Sequence, residues 1–101
     1  MSRVSSKPYF VYVLWSCTAC RFYIGISDDV EKRLTQHNEG LSKWTAKFCP
    51  WELVHAEEFP DYSEARRREI LLKRQKGSRQ FFRLTGLDPS RFSRERPRSG
   101  A

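Results

Sequence analysis

Tyr9-Phe10-Val11-Tyr12-Val13-Leu14-Trp15 and Phe22-Tyr23-Ile24-Gly25-Ile26 decide the fold. Both stretches are rich in β-branched and aromatic residues, the first follows Pro8, and both read as strands, the first of them buried. Five or six polar-leaning residues, including Ser16, Thr18 and Arg21, separate them, so together they predict an antiparallel hairpin. No Asn-Gly pair marks its turn, which leaves the register open. Gly25 inside the second strand signals a bulge or a close backbone approach.

Downstream, Ser27-Asp28-Asp29-Val30-Glu31 announces a helix. Asp28 is the expected cap, Glu31 completes a capping box, and acids in the first turn suit the helix dipole. Gly40 is the stop signal. Val30, Leu34 and His37 share one stripe, and Arg33 lies one turn before His37 on the same face. Residues 41–50 have no period and read as a loop with two basic residues and two aromatics. A third strand is expected over Trp51–Phe59. A turn at Pro60 then leads into a helix from Ser63 to Lys76, stopped by Gly77. Ala65, Glu69, Leu72 and Lys76 fall within about 60° of one another on that helix, so an acid sits in the stripe that should face the sheet. Gln80-Phe81-Phe82-Arg83-Leu84 predicts a further short helix. No internal repeat is visible. The expected domain spans residues 8–88, with 89–101 a basic tail that is disordered from residue 91. The fold class is α/β in the α+β sense: a three-stranded, mainly antiparallel sheet flanked by helices.

With 101 residues the chain has room for one domain and one core without disulfides or metals. No apolar run approaches the ~18 residues that cross a bilayer, so no membrane partner is expected. Met1 to Pro8 lacks the apolar stretch of a signal peptide, and a cytoplasmic location is the default. Three cysteines are too few for a secreted scaffold. Cys17 and Cys20 have the spacing of half a zinc site, but Cys49, His37 and His55 supply no second close pair, so a polar turn is the better reading.

Charge is unevenly placed. Residues 1–65 carry 7 Lys+Arg and 9 acids, whereas residues 66–101 carry 12 and 3. A basic C-terminal third is the electrostatic footprint of a polyanion, and nucleic acid is favoured over a merely solvated face. Five polar groups stand out against this background: Tyr12, Tyr23, Arg33, His37 and Glu69. Each alone has an ordinary explanation. The tyrosines can be packing residues, His37 a cap, Arg33 a solvated charge, and Glu69 a partner of Lys73 or Arg66.

Taken in order, these residues resemble the GIY-YIG nucleases. Phe10-Val11-Tyr12 followed by Tyr23-Ile24-Gly25 looks like the family's paired-strand signature, the second triplet letter for letter and the first keeping only its tyrosine. The Arg-to-His spacing of the family's helix matches Arg33 and His37, and its metal-binding glutamate matches Glu69. Gly40-Leu41-Ser42-Lys43-Trp44-Thr45 and Pro50-Trp51-Glu52-Leu53-Val54 resemble the compact single-domain bacterial branch. The likeness covers roughly residues 8–77.

This resemblance implies metal-dependent hydrolysis of a phosphodiester bond in DNA, with branched, flapped and single-stranded forms as candidate substrates. Glu69 would hold Mg²⁺ or Mn²⁺, with no small-molecule cofactor. Arg33 would clamp the non-bridging oxygens. Tyr12 would take the proton of the attacking water, with His37 assisting or accepting it and Tyr23 orienting water or phosphate. A phenol of pKa ~10 then needs the metal and Arg33 to lower it. Lys43, Thr45, Lys73 and Lys76 would contact the DNA backbone. The asparagine that some members carry in a later element has no counterpart, since none follows Asn38. Two alternatives remain: a nucleic-acid-binding module that has lost turnover, and a subunit directed by a targeting protein partner.

Overall fold

A computed structural model describes residues 7–40, 48 and 50–92. Three strands, β1 (Tyr9–Ser16), β2 (Arg21–Ser27) and β3 (Glu52–Phe59), form one open antiparallel sheet in the order β2-β1-β3. Among the described residues the helices are α1 (Val30–Asn38), α2 (Tyr62–Gln75) and α3 (Arg79–Thr85), followed by a 3₁₀ turn at Pro89–Phe92. The α+β class and the antiparallel sheet expected from the sequence are what the chain forms.

Central strand β1 is buried from Val11 to Ser16. It is covered on both faces, which is why its sequence reads as a continuous apolar run instead of an alternating one. Val11, Val13 and Trp15 point to one side, where they join Phe22, Ile24, Ala65, Leu72, Phe81 and Phe92 in the main core beneath α2 and α3. Tyr12 and Leu14 point to the other, where Trp51, Tyr23, Val30 and Leu34 form a smaller cluster under α1. The register Tyr12↔Gly25 and Leu14↔Tyr23 assigns both tyrosines to this second face.

Most ends lie within a residue of expectation, α2 running from Tyr62 to Gln75 where Ser63 to Lys76 was expected, and neighbouring side chains account for two of the shifts. Asp29, not Asp28, caps α1, its Oδ1 accepting from Lys32 N at 3.0 Å. Ser27 Oγ accepts from Asp29 N at 2.9 Å and donates to Asp29 O, which seats Asp29 at the cap, while Asp28 pairs with Lys7 at 3.2 Å. Glu31 then lies in the first turn without a capping box. Trp51 stays outside β3 because the Asn38 side chain occupies its backbone: Trp51 N donates to Asn38 Oδ1 at 2.6 Å, and Asn38 Nδ2 donates to Trp51 O at 3.0 Å. One amide thereby ties the end of α1 to the start of β3.

On the main-core side, Glu57 of β3 accepts two hydrogen bonds from Arg68 of α2, at 2.7 and 3.0 Å, and the same guanidinium reaches Leu84 O of α3 at 2.9 Å. This fork binds strand, helix and helix, and it holds the Glu57 carboxyl below the usual range against the opposing push of burial. Pro89–Phe92, assigned by composition to the tail, folds back so that Phe92 meets Trp15 and Phe22, with centroids 5.1 and 5.2 Å apart. No helix among the described residues is long and apolar enough to cross a membrane.

Candidate active site

On the α1 face the side chains build upward from the sheet. The Tyr12 ring lies flat over the backbone of its partner Gly25, so close that a β-carbon there would stand 2.7 Å from the phenolic oxygen. Only a residue without a side chain leaves that space, which gives the glycine of Tyr23-Ile24-Gly25 a packing reason. Tyr12 Oη then meets His37 Nε2 at 3.4 Å. Tyr23 stands beside both, its ring 4.7 Å from the imidazole and 6.2 Å from the Tyr12 ring. Arg33 lies beside the hydroxyls of Tyr12 and Tyr23 and interacts electrostatically with both, while its Nη1 donates to Gln36 Oε1 at 2.7 Å. Residues 30, 33, 34 and 37 follow the helical repeat, so one stripe of α1 seals the cluster with Val30 and Leu34 and also delivers Arg33 and His37 to it.

Burial sorts these four groups. Tyr12 and His37 are each 1% exposed, while Tyr23 and Arg33 are part-exposed. Tyr23 and Arg33 are therefore the members that meet solvent, and the Tyr12 hydroxyl is an interior link between Tyr23 and His37. Burial pushes the Tyr12 phenol above its ordinary 10.0, with Arg33 pulling it only partly back. Arg33 by itself does not bring the Tyr12 pKa down, because desolvation outweighs the cation. Burial also lowers the His37 imidazole below 6.5, helped by repulsion from Arg33, so it is neutral at pH 7 and able to accept a proton.

Glu69 comes from a different helix, α2. Its neighbours one turn away on the same α2 stripe, Ala65 and Leu72, belong to the main core with Val11, Val13 and Ile24, the face opposite Tyr12. The carboxylate is 7% exposed and both oxygens are engaged, Oε1 by Arg66 Nη1 at 2.6 Å and Oε2 by Lys73 Nζ at 3.0 Å. The structure thus gathers four of the five expected residues into one contacting set and puts the fifth in an ion-paired position on α2. Among the described residues no three His, Cys, Asp or Glu side chains cluster as metal ligands. A lone hard carboxylate still fits Mg²⁺ or Mn²⁺, which retain several waters and share their shell with substrate phosphates.

Of the expected DNA contacts, Lys73 is committed to Glu69, and Lys76 Nζ donates to Phe22 O of β2 at 3.3 Å. Lys43 and Thr45 lie outside the described residues. Cys17 and Cys20 are free thiols in the β1–β2 turn, Cys20 with a φ of 55°. Asn38 and Gly25 shape this site without having been singled out for it. Gly25 carried a signal, a glycine inside a strand, whereas Asn38 carried none, because its partner is thirteen residues away.

Comparison with known proteins agrees with this geometry. The model of the GIY-YIG catalytic domain family matches residues 8–82. A UPF0213 protein of Nitratidesulfovibrio vulgaris is 38% identical over 72 residues, covering 70% of this chain and 64% of that protein. A UPF0213 protein of Streptococcus pneumoniae is 40% identical over 68 residues, 66% of this chain and 68% of its own. A UPF0213 protein of Natronomonas pharaonis is 41% identical over 69 residues, with shares of 67% and 80%. No solved structure matches. The match runs from the strand that presents Tyr12, through the helix that presents Arg33 and His37, to the helix that bears Glu69, and the chain belongs to the GIY-YIG family of nucleases.

Proposed function

We propose that the protein is an endonuclease that hydrolyses phosphodiester bonds in DNA, with Glu69 as the ligand for Mg²⁺ or Mn²⁺. The observation that carries this reading is the close grouping of Tyr23, Tyr12, His37 and Arg33 on one face of the sheet, with Tyr12 Oη against His37 Nε2.

Hydrolysis needs a deprotonated water, in-line displacement at phosphorus, and relief of the charge that builds on the phosphoryl oxygens. Arg33 is suited to the last task. Its planar guanidinium has five N–H donors and stands at the solvent edge, so those not used on the tyrosines and Gln36 can fork onto non-bridging oxygens. Tyr23 is the hydroxyl a water reaches first. As that water attacks, its proton passes to Tyr23, the Tyr23 proton to Tyr12, and the Tyr12 proton to the neutral His37, so no free phenolate is needed at neutral pH. Glu69 would hold Mg²⁺ or Mn²⁺, which would supply positive charge to offset the charge building on the phosphate and departing oxygen.

The test is cleavage of linear, nicked, flapped and branched DNA with Mg²⁺ or Mn²⁺. Parent protein should yield product, and Tyr12→Phe, Arg33→Lys and Glu69→Ala should each lower the rate by about a hundredfold or more, the scale of removing one group that stabilises the transition state. No product from the parent, or undiminished product from Glu69→Ala and Tyr12→Phe, refutes the proposal. The pairing of both Glu69 oxygens with Arg66 and Lys73 favours one second reading, a DNA-binding module without turnover. Tight binding with no product identifies it.

A further inference from the structure

On the opposite face of the sheet, at the hairpin end, a cleft of about 640 Å³ opens between β2, α2 and the 3₁₀ turn. Its volume lies in the range of small-ligand sites, ~300–1,000 Å³. Trp15, Phe22, Phe82 and Phe92 wall it, with Phe82 and Phe92 rings stacked at 22° and centroids 6.3 Å apart. Arg21, its guanidinium 5.4 Å from the Phe48 ring centroid, and Lys76, its Nζ donating to Phe22 O at 3.3 Å, are the exposed cations at the rim, and no carboxylate is among the lining residues. Neither cation forms an ion pair among the described residues. Burial lowers the Lys76 ammonium below its ordinary value, and Arg21 and Lys73 lower it further by repulsion. An anion at this rim would relieve that crowding.

Aromatic walls and two cations without acidic partners together match one ligand chemistry, a base carrying a phosphate. Within a duplex the base faces are stacked on each other, so an unstacked base must come from a single strand. Position supports the same occupant. Phe22 of the cleft and Tyr23 of the candidate active site are consecutive residues on opposite faces of β2, and β2 is an edge strand. Consecutive Cα atoms are about 3.8 Å apart. A strand that passes over this edge can meet Arg33 and Tyr23 on one side and the cleft on the other within a few nucleotides.

We infer that the cleft holds one unstacked nucleotide of single-stranded DNA, its base against Phe82, the part-exposed ring of the wall, and its phosphate between Arg21 and Lys76. This rests on the reading of DNA as the substrate, and it adds a second anchor that would orient a flap or a single-stranded arm.

The test is binding in EDTA, where no cutting intervenes, of a fluorescent oligothymidylate of about ten nucleotides, a length within the usual single-strand site. An abasic oligomer of equal length, which keeps the phosphates and lacks the bases, serves as the second probe. The parent should bind oligothymidylate about tenfold more tightly than the abasic strand, the scale of one base–aromatic stack. Arg21→Ala with Lys76→Ala, at exposed positions that leave the core intact, should weaken oligothymidylate binding about tenfold and flatten the log–log salt slope by about 0.7, the share of the one phosphate no longer neutralised. Equal affinity of the parent for both strands overturns the inference, as does unchanged affinity and salt slope in the double variant. Cutting of DNA by a parent that shows either of these results removes the cleft and leaves the nuclease standing. Base-dependent binding without cutting removes the nuclease and leaves the cleft.

Discussion

Gly25→Ala tests how the tyrosine site is assembled. The added carbon would lie 2.7 Å from Tyr12 Oη, 2.8 Å from Cζ and 3.1 Å from Cε1. Relief by swinging Tyr12 away is blocked, because the residue is 1% exposed and packs with Leu14 and Trp51 on the central strand. Shifting β2 instead would break its pairing with β1 at Tyr12↔Gly25, in the middle of the ladder. Overpacking of this kind costs about 1–3 kcal/mol. A value near 2 kcal/mol corresponds to a fall in Tm of about 8–16 °C for a domain of this size. Urea unfolding followed by circular dichroism measures it, and repeating the substitution in a Tyr12→Leu background isolates its cause. With the ring gone, the alanine methyl enters the space the phenol vacates, and the cost should fall below about 0.5 kcal/mol, a coupling expected of residues that touch. A Gly25→Ala protein as stable as the parent, or an equal loss in both backgrounds, refutes the steric account.

His37 and Asn38 give two further outcomes. Because the folded chain keeps the His37 imidazole below 6.5, the unfolded chain takes up the proton first as pH falls, so stability drops from about 6.5 down to the lowered folded value and then levels. His37→Gln should remove that part of the slope between about pH 7.5 and pH 5 in urea midpoints, and parallel profiles for the two proteins would contradict it. Asn38→Ala should cost about 1–3 kcal/mol, since it strips both partners from the Trp51 backbone. Asn38→Asp should cost at least as much, because it turns a carboxylate oxygen toward the Trp51 carbonyl, and a fully stable aspartate variant would show that the amide is not the tie.

The strands and the tyrosine face were legible because local chemistry decides them. An apolar run bounded by Pro8 and a polar turn has few ways to fold, and helical spacing alone puts Arg33 and His37 on one side of α1. What stayed hidden depends on choices between equals or on distant partners. Asp28 and Asp29 are equally good caps, and a hydroxyl from Ser27 selects between them. Trp51 has the composition of a strand residue, yet a side chain from α1 takes its backbone first. Phe92 lies in an Arg- and Ser-rich stretch that carries no period, and only the gap beside Trp15 and Phe22 makes it a core residue. The roles within the site were hidden for the same reason. Sequence spacing brings Tyr12 and Tyr23 together but does not say which one solvent reaches, and depth beneath α1 decides that.

Glu69 is where the structural and chemical accounts separate. A helix that served only to cover Val11 and Val13 would do better with an apolar residue between Ala65 and Leu72, because removing a carboxylate from water is costly and well-packed hydrophobic replacements of buried ion pairs are often neutral or stabilising. Its partners offset little of that cost. Arg66 and Lys73 are about half exposed, at 49% and 51% of their side-chain surface, and pairs with such partners contribute at most about 1 kcal/mol. The acid is therefore poorly explained by stability alone. It stands on a helix whose last turn reaches the edge strand at Phe22, one residue from Tyr23. A carboxylate held only by half-exposed ammonium and guanidinium groups is one whose cations could be exchanged for a metal, which is the role proposed for it above. On the function proposed above, the charge around α2 would have two uses: Arg66 and Lys73 neutralise Glu69 in the absence of ligand, and the same cations would meet phosphates once Glu69 holds a metal.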